Sequence, residues 1–176
     1  MASDPDARKT AFRRLEIALF AIALISAPSV AQAANGCKWI NEATSGGLLG
    51  GDAVGDLTPE VPGQPTICTF TQMTDGGKRI LRITVEIAAD PRERLAAIEQ
   101  GCGPDAAPLK AIGNEALICA ADDRKAGMGE RIVGRVRDQV FTITMTSTLK
   151  NDPILTRVVL KTRIYAAAEQ VAGNLF

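Results

Sequence analysis

The sequence predicts an α+β domain: an antiparallel sheet of about five strands, with a long C-terminal helix and a shorter central helix packed on one face. Three observations carry that prediction. Apolar residues alternate with polar ones at Leu81, Ile83, Val85 and Ile87, a period-two pattern of a half-buried strand. A second alternating pair, 132–137 and 140–147, is joined around Asp138-Gln139 as a hairpin. Two Asp-Pro pairs, Asp90-Pro91 and Asp152-Pro153, each set a cap and a proline in front of a helical stretch.

The chain opens with a leader. Arg8, Lys9, Arg13 and Arg14 precede the apolar run from Ile17 to Ala27, the charged-then-apolar order of a signal peptide. That run ends before Pro28, short of the roughly 20 residues a helix needs to cross a bilayer. Ala31-Gln32-Ala33 supplies small residues for cleavage after Ala33, so residues 1–33 are read as a signal peptide and 34–176 as one exported domain, periplasmic or extracellular. Cys37 could instead carry a lipid anchor, but Ala34 and Asn35 make a poor match to the residues such processing prefers. Disulfide use is therefore favoured over lipidation.

Within the exported domain, Asn41 caps a first helix that the glycines at 46, 47, 50 and 51 should fray. Residues 52–65 hold three prolines without periodicity and read as a loop. Residues 66–71 alternate Cys68 and Phe70 with threonines, and Asp75-Gly76-Gly77 turns the chain into the strand ending at Ile87. Asp90 caps the central helix, with Glu93 three residues on, Leu95, Ala97 and Ile98 toward the core and Gly101 at its end. Residues 103–108 read as a linker, 111–120 as a strand and 122–129 as a polar loop before the second hairpin. The last helix is expected from Asp152-Pro153 to Gly173, with Leu155, Val158, Val159, Thr162, Tyr165 and Val171 along its apolar stripe.

Four cysteines, Cys37, Cys68, Cys102 and Cys119, follow the cleavage site, and an even number in an exported chain reads as a disulfide framework. Three pairings are open. Sequential pairing, Cys37 with Cys68 and Cys102 with Cys119, is favoured because it ties the N-terminal segment to the first strand and a helix end to a neighbouring strand. A zinc site finds no Cys-x-x-Cys pair and no histidine to build on.

Composition narrows function by exclusion. The whole chain balances 20 basic against 20 acidic residues; with the leader's four and three set aside, 16 face 17. No basic stripe marks a nucleic-acid footprint. Histidine is absent, which removes the commonest general base and the usual partner of a Ser or Cys nucleophile. The run 46–51 has glycines but lacks the strand before it and the Lys-Ser/Thr after it that a phosphate loop needs. Asp122 and Asp123, beside Gly127 and Gly129, lack the alternating carboxylates of a calcium loop and read as a solvated hairpin tip. Glu86, Glu99, Glu115 and Glu130 remain as carboxylates that could pair in a hydrolase. Trp39 is expected to pack over a disulfide; if exposed, it would mark a binding surface together with Asp122 and Asp123.

The quoted elements also resemble small bacterial exported domains, often lipoproteins, of the PsbP-like α+β fold. The likeness rests on CKWINEATSGGLLGG, CTF, IGNEALI, GRVRDQVFTITM and AAAEQVAGNLF, and spans most of residues 37–175. It implies a bridge between Cys37 and Cys68, with Cys102 and Cys119 additional, and it implies no catalytic set. The expectation is a non-enzymatic exported binding or accessory domain that contacts a protein or envelope component, with no catalytic residues, metal or cofactor. A small carboxylate-dependent hydrolase is the alternative.

Overall fold

A computed structural model describes residues 36–121 and 127–176. The leader assigned to 1–33 and the pair Asp122 and Asp123 lie outside the described residues. The element order is α1 (Glu42–Leu49), β1 (Val54–Leu57), β2 (Thr66–Thr74), β3 (Gly77–Ile87), α2 (Pro91–Glu99), β4 (Ala107–Leu109), β5 (Glu115–Ala120), β6 (Met128–Val136), β7 (Gln139–Ser147) and α3 (Arg157–Leu175).

The class is α+β, but the sheet has seven antiparallel strands rather than about five, in the order β1-β2-β3-β7-β6-β5-β4. The two extra strands are the outermost. β1 lies within the stretch read as a loop, and β4 overlaps the end of the stretch read as a linker and runs one residue past it. Edge strands need satisfy only one neighbour, so three or four residues without alternation, even with Pro108 among them, can pair there. β5 is also shorter than expected, starting at Glu115 after a turn in which Ala111 and Gly113 have positive φ. β6 begins earlier, at Met128, and the hairpin into β7 turns on Arg137-Asp138, with Arg137 at φ 55°.

Alternation decides which layer each residue enters. Leu81, Ile83 and Val85 of β3, Phe141, Ile143 and Met145 of β7, and Ile132 and Val136 of β6 all face α3 and form the main core. Gly134 lies among them because a Cβ there would come within 2.6 Å of the Phe141 ring. Ile87 leaves the row: the strand ends there, and its side chain is 78% exposed.

The helices do not share one face. α1 and α3 cover the side just described. On the other side of the sheet, Leu95 of α2 packs with Cys102, Cys119, Val133 and Val140, a separate small core. Residues 133 and 140 are one position out of phase with 132 and 141, and that single step puts α2 across the sheet from α3.

Three helical expectations also change. α1 is a full helix through Gly46 and Gly47, because packing rescues it. Asn41 accepts from the Thr44 amide, Gly46 abuts the Gly51 carbonyl, and Gly50 closes the helix at φ 88°. α3 starts at Arg157 under a Thr156 cap and runs past Gly173 to Leu175. Its buried stripe is Leu160, Ile164, Ala167, Ala168, Val171, Ala172 and Leu175, with Val158 and Thr162 turned outward. The small alanines let the helix lie close on β6 and β7. Asp152 is thus not a cap of α3; it is buried.

Candidate functional site

The cysteines pair as Cys37–Cys68 and Cys102–Cys119. The first bridge lays a ribbon, residues 36–40, across the start of β2. Asn174 of α3 holds the same ribbon by donating to the Trp39 carbonyl at 2.9 Å. Trp39 is only 7% exposed and joins the main core with Cys68. It is therefore a core side chain and not an open aromatic face.

The ribbon separates two depressions. On one side, a groove of about 450 Å³ is lined by Lys38, Trp39, Glu60, Val61, Ile87 and Gln139, among others. Val61 and Ile87 are 54% and 78% exposed, so its rim is apolar. Lys38 and Glu60 form a largely exposed ion pair, which contributes little to stability. On the other side, a cleft of about 360 Å³ lies between α1 and the outer strand β1, with Cys37, Glu42, Gly55, Asp56, Leu57 and Phe70 in its walls. The glycines of 46–51 line a shallower hollow beside it, shared with Glu42 and Asp52.

The densest polar constellation lies elsewhere and is structural. Arg79 donates to both oxygens of Asp152, at 2.7 and 2.8 Å, and its third nitrogen reaches Gln72 Oε1 and the Leu49 carbonyl. Asp152 also accepts from Ser147 Oγ at 2.6 Å and from the amides of Ile154 and Leu155 at 2.9 Å. Burial alone would raise the Asp152 pKa. The hydrogen bonds from Arg79, Ser147, Leu155 and Ile154 together outweigh it and hold the carboxyl well below its ordinary value. A carboxylate so fully engaged has no lone pair to offer a substrate.

Glu86 and Glu115 do not form an acid–base pair. Glu86 and Glu115 lie in one cross-strand row on the α2 side, but β7 and β6 intervene. Three strand spacings of ~4.8 Å put their backbones about 14 Å apart, beyond the roughly 5–9.5 Å of glycosidase carboxylates. Glu86 accepts from Arg94 at 2.7 Å. Glu99 and Glu115 do line one shallow depression beside β4. There the hydrogen bond from Arg135 at 2.6 Å, opposed by desolvation and aided by the charges of Arg135 and Arg92, lowers the Glu115 pKa. Glu130, the one carboxyl among the described residues that burial raises, projects from the opposite face, with Lys161 4.0 Å away. Low and high carboxyls on opposite faces cannot divide the work of acid and base.

The sign for Glu130 follows from its raised folded pKa. Its protonated form is favoured in the folded state, so stability is greatest below the ordinary value of 4.5 and falls as pH rises through the folded pKa. Glu130→Gln is therefore expected to raise the neutral-pH unfolding midpoint in urea and to leave it unchanged below about pH 4. A variant less stable than the parent at pH 7 would mean that Lys161 and Arg157 outweigh the burial.

Comparison with protein-family models, with curated proteins and with solved structures finds no match. No helix among the described residues is long and apolar enough to cross a membrane, and no group of three or more His, Cys, Asp or Glu among them is placed to hold a metal ion. Trp39 was reachable from sequence by its place beside Cys37. Val61 and Ile87 were not: one sits in a proline-rich loop, and the other continues a strand pattern whose earlier members are core.

Proposed function

We propose that the chain acts outside the cytoplasm as a non-enzymatic binding or accessory domain of the cell envelope, kin to the PsbP-like exported domains. The leader at 1–33 and two disulfides support export. The bond between Cys37 and Cys68 supports disulfide use of Cys37 over a lipid anchor there. The observation that carries the binding role is the groove beside the stapled ribbon, with Val61 and Ile87 held open at its rim. Exposed apolar side chains gathered at a concave surface mark a contact site for a protein or envelope component.

The test is crosslinked capture from envelope extracts. The parent protein should retain a specific component that Val61→Asp with Ile87→Asp loses and Met73→Asp keeps, Met73 being equally exposed on a distant strand end. Capture unaffected by the groove substitutions, or turnover of a substrate with no capture, overturns the reading. Intact mass of the exported protein should begin at Ala34 and gain four alkyl groups only after reduction. The hydrolase alternative rests on the depression shared by Glu99 and Glu115, and an activity untouched by Glu99→Gln and Glu115→Gln would remove it.

A further inference from the structure

The two edges of the sheet are finished differently. β4 is three residues long and carries Pro108, which has no N–H to give a further strand. β1 has no such block. Thr58 donates to the Ile67 carbonyl at 2.9 Å, so the residues that pair with β2 by hydrogen bonds are Thr58, Asp56 and Val54. Gly55 and Leu57 therefore turn their N–H and C=O groups outward. The Gly55 amide already meets an acceptor there: Glu42 Oε1, at 2.7 Å, stands where the carbonyl of a further strand would stand. The Leu57 amide meets none among the described residues.

The cleft described above opens along this same edge. Its floor is apolar, from Leu57, Phe70 and Cys37, while its charged lining is Glu42 and Asp56 with no lysine or arginine. We infer that the outer edge of β1 is a strand-addition site for an extended peptide segment of a protein partner, one that places apolar side chains in the cleft and a basic side chain beside Asp56 on the other face of the same strand. The backbone of the peptide takes the Leu57 N–H and the Gly55 and Leu57 carbonyls, and its next carbonyl replaces Glu42 at Gly55. Asp56, one position out of phase with Gly55 and Leu57, turns its side chain to the other face of β1 and meets the cation there. This site is separate from the groove of Val61 and Ile87 and does not depend on it.

The experiment titrates the isotope-labelled full exported chain with the blocked pentapeptide Thr-Val-Lys-Val-Thr and follows amide resonances. The Lys peptide should shift Gly55 and Leu57 and slow exchange of the Leu57 amide. Replacing its Lys by Glu should weaken binding roughly ten-fold or more, and N-methylation of its valines should abolish it. Asp56→Asn, exposed and outside the strand pairing of side chains, should weaken the Lys peptide several-fold while leaving the fold intact. Shifts that cluster elsewhere, equal binding of the Lys and Glu peptides, or no shift at millimolar peptide overturn the inference.

Discussion

Asp152→Asn is expected to lower the unfolding free energy by about 3–5 kcal/mol, seen as a fall in the urea midpoint without a change in slope. The substitution keeps the shape of the side chain and removes its charge, leaving the Arg79 guanidinium 3% exposed and opposite a neutral amide. Arginine cannot escape by losing its proton. Arg79→Met should cost less, because an abandoned Asp152 can take up a proton and still accept from the Ile154 and Leu155 amides. The order of the two losses is thus part of the prediction. Acid should erase the difference: the folded pKa of Asp152 is depressed from 3.8, so its contribution is complete above about pH 4 and is lost as pH falls further. A loss under about 1 kcal/mol for Asp152→Asn at pH 7 would show that water reaches the pair and screens it.

Replacing Cys37 and Cys68 together by serine is expected to cost about 3.5 kcal/mol, from the entropy returned to an unfolded chain whose loop spanned 31 residues. The same change at Cys102 and Cys119, with a separation of 17, should cost about 3 kcal/mol. The two losses are close in size and differ in place. Without the first bridge, the ribbon that walls both the groove and the cleft keeps the Asn174 bond, the exposed Lys38–Glu60 ion pair and the packing of Trp39 and Ile40. Amide exchange at residues 38–40 should then accelerate far more than at the centre of β7. Without the second bridge, the faster exchange should be confined to α2 and β5. Uniform acceleration in both variants would show that the ribbon is held by packing alone.

Much of the fold was legible because its central strands alternate. β3 and β7 carry period-two patterns that give the face each residue takes, while their pairing with one another, Ile83 opposite Ile143, is not written in either pattern. The bridges were legible from cysteine order. The outer strands were not, since VGDL and APL owe their conformation to a neighbour's edge and carry no pattern of their own. The side taken by α2 was hidden for a related reason: on the second face of β6 Val133 stands between Arg131 and Arg135, so periodicity does not say that this face is also covered. Asp152 misled because Asp-Pro is a sound helix signal, and nothing local reveals Arg79, 73 residues away. At the candidate site, Trp39 and the disulfide could be named in advance, while the exposure of Ile87 and the unclosed edge at Gly55 exist only once strands end and pair.

The sheet order has a consequence for how the chain comes together in time. β1, β2 and β3 are consecutive, β7, β6, β5 and β4 are consecutive in reverse, and the two groups meet only along β3 and β7. Each disulfide closes within its own side of that seam, Cys37–Cys68 before β3 and Cys102–Cys119 before β6. On the proposed route of export, a chain that emerges N-terminus first can thus oxidise its leading portion before the trailing portion has arrived, with no later cysteine yet present to compete for Cys37. The seam itself is left to reversible pairing, where a slipped register can still be corrected after both halves are covalently set.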